Sequence, residues 1–106
     1  MPRYLIEGTY TEDGAKGLMQ EGGSRRRDTV AKVIEGMGGT LEAFYYTFGD
    51  RDVIVIYSAP DDATAAALSL AVNQTGKVRL TTHPLLTAED MDRAAKKTVG
   101  YRPPGA

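Results

Sequence analysis

Few side chains in this chain can do chemistry, and they fall into small groups. Glu7 and Thr9 alternate along one strand-like stretch, and Arg79, Thr81 and His83 alternate along another. Spacing at i, i+2, i+4 puts each set on one face of its strand. If the two strands are antiparallel neighbours, a carboxylate, a guanidinium and the chain's single imidazole converge. Such a group can move a proton or orient a ligand, since histidine titrates near neutral pH. The structural alternative is a Glu7–Arg79 cross-strand pair beside a hydrogen-bonded histidine at a strand end.

A second group is Gly22-Gly23-Ser24 followed by Arg25-Arg26-Arg27. Free backbone N–H groups at a helix start, together with guanidinium groups, can hold a phosphate or carboxylate. Ser24, Arg25 and Arg26 are therefore anion-binding candidates. The alternative is a solvated face paired with Glu21 or Asp28, and the Gly-Lys-Ser/Thr order of a P-loop is missing. Tyr45, Tyr46 and Tyr57 fit a core or an interface, with polar tips that can also meet a ligand; Tyr57 joins His83, Arg79 and Glu7 as a ligand-binding candidate. Asp50 and Asp52 read as turn formers rather than a metal pair.

Composition removes whole classes of chemistry. There are no cysteines, so disulfides, thiolate catalysis and cysteine-based metal sites are excluded, and one histidine rules out a multi-histidine site within one chain. No metal or cofactor motif is found. A formal net charge of −1 offers no field for nucleic acid or an acidic membrane surface. No apolar run reaches the roughly 20 residues of a membrane span, and the N-terminus lacks a signal-peptide pattern, so a cytoplasmic protein is expected.

The elements that must position these residues follow from periodicity. Leu41 to Tyr57 predicts a hairpin turning at Gly49 to Asp52, with Phe44, Tyr46 and Phe48 facing the same way as Val53, Val55 and Tyr57. Leu41, Ala43 and Tyr45 join Ile54 and Ile56 on the other face. A longer loop or a bulge would exchange these partners. Both faces are apolar, so both need cover. Arg3 to Tyr10 predicts a first strand. Thr11 to Gly23 reads as a connection with a helical turn at Ala15 to Gln20, because its glycines make a weak helix.

Ser24 is expected to cap a helix to about Met37, with Val30, Val33, Ile34 and Met37 as one apolar stripe and Asp28–Lys32 as an i,i+4 pair. Asp61 or Asp62 starts an alanine-rich helix that Asn73 and Gly76 end. Lys77 to Leu86 predicts a fourth strand, and Thr87 to Asp90 opens a short helix to about Thr98. Residues 1–98 form one domain, and residues 99–106 a tail that is exposed or docked on a neighbour.

The order β-α-β-β-α-β predicts an α+β, ferredoxin-like fold: a four-stranded antiparallel sheet with its helices on one face. The apolar open face then calls for a second copy, as a homodimer or higher.

The chain also resembles a family. Tyr4-Leu5-Ile6, Gly14-Ala15-Lys16-Gly17-Leu18, Glu21-Gly22-Gly23-Ser24, Leu41-Glu42-Ala43-Phe44-Tyr45, Phe48-Gly49, Pro60-Asp61-Asp62 and Pro84-Leu85-Leu86-Thr87 are similar to the small bacterial proteins of the GYD domain family, over roughly residues 1–91. The signature triplet region reads Gly49-Asp50-Arg51-Asp52, with Arg51 where the family has its tyrosine. The resemblance implies a ferredoxin-like fold of the dimeric α/β barrel kind. It brings no catalytic residue, because the family has no settled activity.

Three functions fit. One is a homo-oligomer that binds a small apolar or aromatic ligand on the open sheet face, near His83, Arg79 and Glu7. Another is an oligomeric interaction module without ligand. The third is a cofactor-free isomerase or monooxygenase, by analogy of fold.

Overall fold

The computed structural model describes residues 1–106. The elements are β1 (Arg3–Tyr10), α1 (Glu12–Glu21), α2 (Gly23–Gly36), β2 (Thr40–Tyr46), β3 (Val53–Ser58), α3 (Asp62–Asn73), β4 (Val78–Leu85) and α4 (Ala88–Ala95). All three strand pairings are antiparallel, in the spatial order β2-β3-β1-β4. This is the α+β, ferredoxin-like arrangement expected, with α1 inserted before α2 and α4 added after β4.

Alternation decides the layers. Tyr4 and Ile6 of β1 and Val53, Val55 and Tyr57 of β3 turn to the helices and are buried. They meet Ile34 of α2 and Ala65 and Leu68 of α3. In β4, Val78, Leu80 and Thr82 are half-buried, while Arg79, Thr81 and His83 face outward and are exposed. The other sheet face carries Leu5, Glu7, Thr9, Ile54 and Ile56 and has no helix over it.

Several local expectations give way to longer-range demands. The hairpin loop is longer than drawn: Thr47 N–H donates to the Asp52 carbonyl at 2.8 Å, leaving Phe48 to Arg51 in the loop and Phe48 97 % exposed. The register slips by two, so the faces survive and Phe44 pairs with Val55 and Tyr46 with Val53. A bulge between Leu41 and Ala43 moves Leu41 onto the Tyr57 side.

The stretch after Thr11 is a full ten-residue helix rather than one turn. Thr11 caps it, its hydroxyl accepting from the Gly14 N–H, with Glu12 and Asp13 in the first turn. Gly14 is there for space: a Cβ at this position would lie 1.8 Å from the Lys77 carbonyl oxygen. Ser24 is not a cap. Gly22, at φ +93°, ends α1 and starts α2, and no side chain caps the second helix. Val33 is 44 % exposed, so the α2 stripe narrows to Val30, Ile34 and Met37. Asp28 pairs with its neighbour Arg27 at 3.2 Å, not with Lys32. Asp61 caps α3 as expected, and Thr87 and Asp90 form a capping box on α4.

Candidate functional site

The sheet presents two different faces to possible ligands. On the open face, Glu7 stands between an imidazole and a guanidinium: His83 Nε2 lies 3.4 Å from Glu7 Oε1, and Arg51 Nε lies 3.5 Å from Oε2. The β1–β4 register explains the first contact, since Leu5 pairs with His83 and Glu7 with Thr81. The same register sets Arg79 opposite Thr9, and no carboxylate lies within ion-pair distance of it. The expected Glu7–Arg79 pair is therefore not formed. Arg51, on the hairpin loop, is the member that strand alternation does not reveal. His83 is half-exposed, with 53 % of its side chain accessible.

Tyr57 lies on the opposite side of the sheet from this cluster. It is fully buried, its ring 5.5 Å from that of Tyr4, and its hydroxyl has no hydrogen-bond partner. Burial pushes its phenol pKa up. Tyr4 donates to Asp62 Oδ1 at 2.6 Å; that bond and burial push it up to about 12. Both tyrosines belong to the buried core.

An apolar cleft lies on the helix side. α2 packs over β2 and α3 over β4, with no substantial packing of one helix on the other. Between them is a cleft of about 560 Å³. Ile6, Val53 and Val55 form its floor, Val30 and Val33 one wall, Leu68 and Val72 the other, and Gly14, Gly17 and Leu18 of α1 its roof. Polar groups stand among and around these side chains. Arg26 Nη1 lies 3.5 Å from Glu21 Oε1, and Lys77 Nζ lies 3.4 Å from Asp13 Oδ2. Tyr10 also lines the cavity, its phenol pushed up to about 12 by burial and by the neighbouring Tyr46. Tyr46 donates to the Gly23 carbonyl at 3.1 Å, and burial raises its pKa. Both phenols are neutral at physiological pH, and Tyr10 and two ion pairs are polar groups that the cleft sets among its apolar side chains.

The anion candidates separate. Ser24 and Arg25 are exposed on the first turn of α2, whereas Arg26 lines the cavity and is engaged by Glu21. No three His, Asp or Glu side chains gather as metal ligands. No helix is long and apolar enough to cross a membrane. Strand and helix periodicity gave no sign of the cavity. The available signals were Leu18, Val33 and Val72, apolar residues at or beyond the edge of the stripes that pack the core.

A family model described as GYD domain matches residues 4–95. No curated protein and no solved structure matches the chain.

Proposed function

The chain belongs to the GYD domain family, and we propose that it is a homo-oligomeric binding protein that holds a small apolar or aromatic molecule in the helix-side cavity. The observation that carries this reading is the cavity itself. Protein interiors are close-packed, with few voids larger than a water molecule. A cleft of about 560 Å³ with apolar walls, floor and roof falls within the size range of small-molecule sites. Tyr10 and the Arg26–Glu21 pair supply the few polar groups that orient a ligand.

The chain has no tryptophan, which makes the test direct. Val72→Trp places an indole in the cleft and gives a unique fluorophore. Binding of 1-anilinonaphthalene-8-sulfonate should weaken at least ten-fold on the order expected for a filled pocket. Unchanged dye affinity in a folded Val72→Trp variant rejects the cavity as the site. Native mass spectrometry of freshly purified protein would report a retained ligand.

Self-association is part of the same reading and rests on a different observation. Leu5, Ala43, Ile54 and Ile56 are half-buried on the open face and Tyr45 is 70 % exposed there. A contiguous apolar patch of this kind is the mark of an interaction site, and a second copy is the partner that every solution of the protein contains. A single-chain mass by light scattering at micromolar concentration would reject it. A cytoplasmic location is consistent with the absence of cysteine.

A further inference from the structure

The C-terminal arm has no substantial packing against the rest of its own chain. α4 follows β4 after only Leu86 and Thr87, none of its residues is buried, and it makes no substantial contact with another element. The longest dimension of the chain is 55 Å and its radius of gyration 16.8 Å, against about 13 Å for a compact domain of this length. Yet α4 is built to be a helix, with a complete Thr87–Asp90 capping box. Eight residues are too few to hold a helix alone in water. Ala88, Met91 and Ala95 make one apolar edge at i, i+3, i+7. Three carboxylates against one guanidinium leave residues 88–95 at −2, and Lys96 and Lys97 follow at the C-terminal end, so the negative charge is confined to the first two turns. Asp90 is occupied by Thr87 and Arg93, while Glu89 and Asp92 form no ion pair.

The β1–β4 half of the open sheet face has the complementary character. Thr9 and Thr81 are small, Leu5 is a half-buried apolar residue, and Arg79 has no carboxylate partner. His83 and Arg51 share the single carboxylate of Glu7. One chain thus carries a helix with an apolar edge and acidic first turns, and a face with an apolar floor on which the Arg79 guanidinium has no carboxylate partner.

We propose that α4 of one copy lies across the β1–β4 half of the open face of a second copy, with Met91 toward Leu5 and with Glu89 and Asp92 toward Arg79 and His83. The inference rests on the reading that a second copy covers this face, and it names the segment that does so. Two-fold symmetry makes the exchange reciprocal, and the pair is closed. Opposite charge sets the register and rejects wrong partners.

Charge reversal tests it on the full chain. Arg79→Glu sets a carboxylate against Glu89 and Asp92, and Glu89→Lys with Asp92→Lys sets two ammonium groups against Arg79. Each variant alone should dissociate at a concentration at least ten-fold higher than the unaltered chain by light scattering. An equimolar mixture of the two should return to the original value, because both contacts of the mixed dimer are then matched. Failure of the mixture to recover overturns the exchange. So does a chain ending at Thr87 that associates as tightly as the full one. Ile56→Glu, on the hairpin half of the face, separates the two readings. If it yields single chains while the arm variants do not, the exchange alone falls. A full chain that is monomeric at every concentration removes both.

Discussion

Gly14→Ala and Gly17→Ala, three residues apart on α1, should move stability in opposite directions. At Gly14 a Cβ would sit 1.8 Å from the Lys77 carbonyl oxygen and 2.7 Å from its carbon. Ordinary contact begins near 3.4 Å, so helix and loop must part by about 1.6 Å. That separation falls on the joint that holds α1. There Thr11 N–H donates to the Lys77 carbonyl at 2.9 Å, and the Thr11 hydroxyl lies 2.9 and 3.0 Å from the Gly76 and Lys77 carbonyls. Overpacking costs about 1–3 kcal/mol and each lost hydrogen bond about 1 kcal/mol, against a gain of about 1 kcal/mol for alanine over glycine in a helix. The net loss is about 1–3 kcal/mol. Gly17 has nothing within 4 Å of its virtual Cβ, so it keeps only the gain. The two variants should differ by about 2–4 kcal/mol in urea unfolding, and by at least about 8 °C in Tm. Since α1 roofs the cavity, Gly14→Ala should also weaken dye binding. Equal stability of the two variants would refute the account of the joint.

Ile34→Ala should cost about 2–5 kcal/mol, because Ile34 is fully buried, whereas Val33→Ala, next to it on the exposed cavity wall, should cost about 0.5 kcal/mol or less; chemical denaturation separates them. Tyr57→Phe should be neutral or stabilising by up to about 1 kcal/mol, since it removes a buried hydroxyl without a partner; a clear loss in the same assay would mean that the hydroxyl is bonded. The Tyr4 phenol is pushed up to about 12 by its bond to Asp62 and by burial, and the Tyr10 phenol to about 12 by burial and by Tyr46. A raised pKa gives stability that is complete below pH 10 and lost as pH climbs through 12, so Tm should hold to about pH 10 and then fall. Tyr4→Phe should reduce the steepness of that fall; an unchanged alkaline limb would reject the assignment.

What the sequence made legible is what depends on short-range alternation. The inward turn of Tyr4, Ile6, Val55 and Leu80 and the outward turn of Glu7, Arg79 and His83 follow from period two alone. So does the meeting of Glu7 with His83, once β1 and β4 are neighbours. The partner of Arg79 does not follow, because it needs the register, and the register puts Thr9 opposite it. α1 was hidden for a related reason. Its glycines count against a helix locally, but Gly14 answers a contact 63 positions away, at Lys77. Ser24 has the residue type of a cap but lies inside α2, because the chain leaves α1 and enters α2 through Gly22. The cavity depends on how far apart α2 and α3 sit on a twisted sheet, a distance that no residue pattern encodes.

The two faces are joined through single strands. Ile6 forms part of the cavity floor while Glu7, the next residue, holds His83 and Arg51; Val55 faces the cavity while Ile54 and Ile56 face outward. A sheet one strand thick cannot change its twist on one side only. Covering the open face with a second copy fixes the strands that also form the floor of the cleft. Filling the cleft likewise holds α2 and α3 at a set separation over those strands. If the chain binds and associates as proposed, the two events act on the same strands, with no relay of side chains required. By linkage, a ligand that binds the associated form better must strengthen association by the same factor. The coupling is measurable as a shift in dimer dissociation when 1-anilinonaphthalene-8-sulfonate is present, and Val72→Trp, which fills the cleft, should abolish that shift while leaving the open face intact.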